Sequence, residues 1–240
     1  MLLRMLVKIH KMKISFFSIL LLFVSSSIFS QVDEKQLGSW YMYFFNNKFE
    51  NSNWGIQGDI QHRDWAILGD QEQLMLRSGI TYIPKNSGAM FTFGFANITT
   101  GDFGDSDGTF NENRLYQEVL FSQKLGNRFF ITHRFRYEQR FIENQDFRTR
   151  YRYNFFLNIP LNSKGLSPKT IYAAFYNELF INGEKSIGNN NSVEIFDRNR
   201  TYFGMGYVLN KIIKFQVGIM KQTTSSLSKN QLQISMHHNF

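Results

Sequence analysis

The chain has 240 residues, a formal net charge of +8, 42% hydrophobic and 17% aromatic residues, and no cysteine. That much apolar side chain excludes a disordered chain. The missing cysteine excludes a disulfide framework, a thiolate zinc site and a lipoprotein anchor, while leaving an oxidising compartment open.

At the N-terminus, Lys8, Lys11 and Lys13 precede an apolar run over 14–24 and a Ser-rich stretch ending at Ser30. This pattern predicts a secretory signal peptide over residues 1–30, because an apolar run this short falls well below the roughly 20 residues a spanning helix needs. Cleavage there would take four of the 27 basic residues with it and leave 23 against 19 acids. Residues 31–240 then form one domain.

Beyond a polar lead, almost every segment alternates apolar and polar residues with period two and is bounded by Gly, Asn, Asp or Ser, as strands are. The predicted strands cover 37–47, 54–65 and 73–83; after a turn at 84–88, Phe91, Phe93 and Phe95 alternate with Thr92, Gly94 and Ala96. A polar loop is predicted over 101–112, and strands 114–125 and 128–143 flank the turn Gly126–Asn127. Further strands fall at 148–161, 170–181, 198–209 and 213–222, with a turn at 162–169 and a second long loop, rich in Asn and Gly, over 182–196. The last strand, from Gln231, sets Leu232, Ile234 and Met236 against Gln233, Ser235 and His237 and ends on Phe240. Ending apolar-outside on an aromatic resembles the final strand of outer-membrane barrels.

Alternation alone does not say which face is wet, since a soluble sandwich buries its apolar face and a membrane barrel exposes it. Strands near the roughly 9 to 11 residues a membrane requires favour the barrel. So do turns that alternate short and long, and aromatics such as Trp54, Tyr82, Tyr151, Tyr153 and Tyr207 near strand ends. The reading is an all-β, antiparallel up-and-down transmembrane β-barrel of about 10 to 12 strands. Counting exposes a conflict, because including 37–47 makes the number odd whereas bacterial barrels use even numbers. Either that segment lies outside the wall or a further strand hides in a stretch read as loop.

The stretch over 133–155 carries the densest pattern. Arg134, Arg136, Glu138 and Arg140, then Arg148, Arg150 and Arg152, alternate with aromatics on either side of a break at 143–146. In a barrel these charges face the lumen together with Arg63, Arg77, Arg114, Arg198, Arg200 and Lys214, against the acids Asp59, Glu118, Glu138 and Glu178. Pairing Glu138 with Arg150 or with Arg152 brings Arg140 opposite another arginine in either register. Like charges directly opposed destabilise a sheet, so an acid from elsewhere or a bound anion is expected there. The length of 128–143 predicts that this hairpin protrudes at the 143–146 turn.

The segments SWYMYFF, HRFRYEQRF, RTRYRYNF and FDRNRTYFGMGY resemble an uncharacterised outer-membrane β-barrel family of Bacteroidota, known as a domain of unknown function. The resemblance covers most of the chain after residue 30. It implies a barrel fold and an outer-membrane location, and brings no substrate, cofactor or catalytic residue.

On residues alone, the leading expectation is a narrow pore or binding barrel for small anionic solutes. Its site candidates are Arg134, Arg136, Glu138, Arg140, Arg148, Arg150, Arg152, Arg198 and Arg200, because rings of arginine favour anions. An alternative is a non-conducting structural or surface-interaction barrel that contacts lipopolysaccharide, whose phosphates arginine binds bidentately. A third reading is a lipid hydrolase using Ser235 and His237 with Asn239 beyond, although nucleophile and base need an orienting group and these residues fall near the periplasmic end. The expected partners are outer-membrane lipids and the barrel-assembly machinery, engaged through the strand ending in Phe240, with no nucleic acid. No cofactor or metal is expected: Asp102, Asp105 and Asp107 miss the spacing of a calcium loop, and Gly204 to Gly206 follows no phosphate-loop pattern and suits tight strand packing.

Overall fold

The computed structural model describes residues 36–240 apart from Asp105; the predicted signal peptide lies outside the described residues. Among the described residues there is no helix, and the strands are β1 (Gly38–Lys48), β2 (Trp54–Asp64), β3 (Gln71–Tyr82), β4 (Ala89–Gly101), β5 (Thr109–Leu125), β6 (Phe129–Ile142), β7 (Arg148–Pro160), β8 (Ile171–Asn182), β9 (Ser186–Gly188), β10 (Asn191–Ser192), β11 (Phe196–Val208), β12 (Ile213–Thr223) and β13 (Ser228–Asn239). All but β9 and β10 form a closed barrel in the order β1-β13-β12-β11-β8-β7-β6-β5-β4-β3-β2, and β9 and β10 make a separate ribbon. Turn chemistry sets many of the corners: Asn51, Asn86 and Asn144 and Gly126 take positive φ, a conformation glycine and asparagine tolerate best.

Period-two alternation resolves into two faces of opposite chemistry. Phe93, Phe135 and Phe203 stand on the outside, with Phe203 65% exposed, whereas Glu138 on the inside is 1% exposed. A soluble sandwich would show the reverse, its aromatics buried and its charges wet.

The parity conflict has an answer that neither sequence alternative offered. Segment 37–47 is a wall strand, and the described residues hold no further one. The odd barrel closes because β1 pairs with β13 in parallel, Trp40 opposite Gln233. All other neighbouring wall strands are antiparallel. The barrel therefore has a Gly38 rim, where β1 and β13 both start, and an Asn239 rim, where both finish.

Loop lengths also depart from expectation. The predicted 101–112 loop shrinks to 102–108 because β4 and β5 keep pairing as far as Gly101 and Thr109. The 182–196 loop carries the β9–β10 ribbon. At the Asn239 rim the connection over 161–170 is longer than 102–108, so the contrast between short and long ends is weaker than the sequence suggested. At the Asn239 rim the hairpin that turns at Gly126 overhangs its neighbour: β4 stops pairing β5 at Phe121, Ser122 N–H reaches the Gly88 carbonyl at 3.0 Å, and Gln123 to Leu125 continue on β6.

Inside the barrel, Trp40, Tyr172, Ala174, Tyr202, Val208 and Met220 form a buried cluster. Gly204 and Gly206 admit it. A Cβ at Gly206 would strike the Tyr172 ring and one at Gly204 the Tyr202 hydroxyl, so these glycines serve close packing, as their sequence suggested.

Candidate functional site

The lumen is a cavity of about 700 Å3 lined from both rims, with Trp65 and Lys229 near one and His238 and Asn239 near the other. Every base assigned inward by alternation lines it, and so do the candidates Arg134, Arg136, Arg140, Arg148, Arg150, Arg152, Arg198 and Arg200. Glu138 is buried beneath them. Lys229, which β13 adds by starting before Gln231, joins the lining.

Register decides who meets whom. β6 and β7 pair with Glu138 opposite Arg150, which sets Arg140 against Arg148 and Arg136 against Arg152. Glu138 accepts from Arg150 Nε at 2.9 Å and Nη2 at 2.6 Å, and from Arg152 Nη1 at 2.6 Å. Arg136 and Arg114 approach it at 3.7 and 3.9 Å. Four guanidiniums thus surround one carboxylate, and Arg150 places two N–H groups on the same oxygen, Oε2, in charge-assisted bonds.

Two further acids join the network, and sequence reading missed both. Glu112, placed in a loop by its polar neighbours, lies on β5 and accepts from Arg114 Nε at 2.6 Å and Arg140 Nε at 2.5 Å. Asp197 has the wrong parity for the lumen, but a register shift between Phe196 and Arg198 turns it inward, where Arg150 Nη1 reaches it at 2.8 Å and Arg198 Nη2 at 3.1 Å. A bulge re-aims side chains in this way. The remaining pairs follow the expected phase. Glu118 takes Arg136 at 2.6 Å, Glu178 takes Arg134 and Arg152 at 2.6 Å each, and Asp59 takes Arg77 at 2.9 Å. Buried Phe180 adds a shared ring, with Arg152 at 4.4 Å and Arg200 at 4.7 Å from its centroid.

Arg63, Arg148, Arg200 and Lys214 have no carboxylate within 4.0 Å among the described residues. Arg63 and Arg200 rest on amides and rings: Arg63 donates to Gln73 at 2.6 Å and Gln61 at 2.7 Å, and Arg200 to Gln222 at 2.8 Å. Arg148 has a buried Nε with no partner.

Ser235 Oγ and His237 Nε2 do come together, at 3.1 Å. The His237 ring stacks on Phe44 at 4.8 Å, and no carboxylate orients it among the described residues. His62 and His133 face outward, His62 against Asp64 at 2.8 Å and His133 against the Tyr153 hydroxyl at 2.9 Å. The described residues contain no cluster of His, Asp or Glu able to hold a metal ion.

No curated protein and no solved structure matches the chain. Its residues 37–233 match the sequence profile of the family described as "Protein of unknown function (DUF2490)". That span runs from the start of the barrel into its last strand, so the chain belongs to the DUF2490 family.

Proposed function

We propose that the protein is an exported outer-membrane barrel whose basic lumen takes up small anionic solutes, as a narrow pore or a binding barrel. One observation carries the reading: a single cavity touches residues of both rims, and Arg63, Arg148, Arg200 and Lys214 on its wall have no carboxylate within 4.0 Å among the described residues. Rings of arginine select anions, and a low-dielectric wall focuses their field. The apolar exterior and wall strands of 11 to 17 residues support a membrane setting. In planar bilayers the pore form gives anion-selective conductance that weakens in Arg136→Ala combined with Arg152→Ala. A barrel silent in the bilayer and without affinity for any small anion overturns the proposal. Heat-dependent migration of the membrane fraction on a detergent gel tests the location; a protein found only in the soluble fraction refutes it.

The β9–β10 ribbon motivates a second reading, a barrel that contacts lipopolysaccharide through its Gly38 rim. Deleting residues 186–192 then removes lipopolysaccharide binding without creating or changing any conductance. The Ser235–His237 contact motivates a third, a lipid hydrolase, and phospholipid turnover that survives Ser235→Ala unchanged removes it.

A further inference from the structure

We infer that Trp40, Arg63, Arg200 and Gln233 form a binding site for one oxyanion, the carboxylate or phosphate group of a small solute, across the β1–β13 seam. The inference rests on the anionic-lumen reading and assigns it to a particular wall, away from the glutamate-rich hairpins.

Two cations share one indole. The Arg63 guanidinium carbon lies 3.8 Å from the Trp40 ring centroid and that of Arg200 lies 4.7 Å from it. Both arginines are buried, and their hydrogen-bond partners are neutral amides, which orient a guanidinium without neutralising it. Of the acids nearby, Glu178 is committed to Arg134 and Arg152, and Glu72, which accepts from Gln231 at 3.4 Å, acts on Arg63 from beyond ion-pair distance. Burying two like charges with no paired counter-ion is costly, and a bound anion lowers that cost.

Three unpartnered atoms at this place are donors. Trp40 Nε1, Arg63 Nε and Gln233 Nε2 are buried without a hydrogen-bond partner, and all three residues line the cavity. Arg63 and Gln233 flank Trp40 in register on either side. The Tyr176 hydroxyl donates to Gln233 Oε1 at 2.9 Å, which fixes the amide and leaves its Nε2 without an acceptor. The neighbouring unpartnered acceptor, Gln231 Oε1, lies against the Gly38 backbone instead. Buried donors left unsatisfied call for a partner, and a set of donors beside two cations fits an oxyanion that arginine grips in a fork. The cavity of about 700 Å3 limits the solute to a small molecule.

The chain has three tryptophans, so Trp54→Phe combined with Trp65→Phe leaves Trp40 as the single indole reporter in the detergent-solubilised, full-length protein. Iodide is the probe, caesium the cationic control, and sodium phosphate and sodium acetate the competitors. The expected result is saturable iodide quenching about tenfold stronger than caesium quenching, the scale on which a charged cleft concentrates its counter-ion. Phosphate or acetate protects, and which of them does so identifies the headgroup. Adding Arg63→Gln and Arg200→Gln drops iodide quenching to the caesium level, whereas Arg200→Lys retains it. Equal quenching by iodide and caesium overturns the inference, and so does iodide quenching that neither competitor relieves. If the glutamine variant loses its heat-dependent gel shift, the competition arm on the parent and the lysine variant still decide. A barrel that conducts anions but shows no saturable quenching refutes this site alone; a silent barrel with saturable quenching refutes only the pore.

Discussion

Arg152 and Arg200 are equally buried, and each lies within 5 Å of the Phe180 ring, yet they are held in opposite ways. Arg152, on the wall of β5 to β8, is gripped by Glu138 and Glu178. Arg200, on the wall running through β11 to β13, β1 and β2, has Gln222 and the Trp40 ring. Counting arginines therefore overstates the charge of the first wall and locates that of the second. A carboxylate cluster fixes structure, while an arginine resting on amides keeps a net charge that a solute can meet. Burial alone does not tell the two apart; the neighbour on the next strand does.

The sharpest way to break this comparison is to neutralise one member of each wall. Glu138→Gln leaves four guanidiniums around a neutral amide and is expected to lower stability by about 3–5 kcal/mol, as removing one partner of a buried pair does. Arg200→Gln, which removes a like-charge conflict, is expected to cost less than about 1 kcal/mol or to stabilise. Urea unfolding in detergent measures both, and equal losses would show that the walls do not differ. Next in size is Glu112→Gln, which strips the charge from the partner of Arg114 and Arg140 and should cost about 1.5–3 kcal/mol. It also makes the first wall resemble the second, so anion binding should strengthen while stability falls; weaker anion affinity in this variant would contradict the comparison.

A smaller effect tests the packing beneath the second wall. In Gly204→Ala the new Cβ meets the Tyr202 hydroxyl and the Val217 carbonyl oxygen, a backbone atom that does not yield. The expected cost is about 1–3 kcal/mol, with Tyr202 displaced from its stack on Tyr176, whose rings lie 4.9 Å apart. Unchanged stability there would mean that this wall has room to spare. The smallest effect belongs to the outside: His133→Ala removes exposed contacts with Gln123 and the Tyr153 hydroxyl, and its unfolding free energy should stay within about 0.5 kcal/mol of the parent.

Much of the barrel was legible in the sequence because period two fixes a side chain's face without any knowledge of its neighbours. The arginine row over 134–152 was assigned inward on that basis, and pairing Glu138 with an arginine left two β6–β7 registers, one of which the structure adopts. What could not be read depends on departures from periodicity. Glu112 sits where polar neighbours imitate a loop, and Asp197 points inward only because of a bulge. Trp40 belonged to the very segment that the even-number rule placed in doubt, and its two arginines come from β2 and β11, strands far apart in sequence. A parallel seam leaves no local mark at all, since either orientation of β1 has the same alternation.

That seam also sets the order in which the molecule can be completed. Antiparallel neighbours joined by short turns can zip one after another, but β1 and β13 stand at opposite ends of the described chain and share no turn. Their pairing closes the longest loop in the fold, which makes it the slowest contact to form on entropic grounds. Trp40 and Gln233 face each other across this join, so the donor set they belong to exists only after the last strand has docked. Any anion that binds there holds the circle shut by mass action. A solute of the closed barrel would then also act as a latch on its final folding step, and refolding in its presence would speed or slow with how early the seam begins to form.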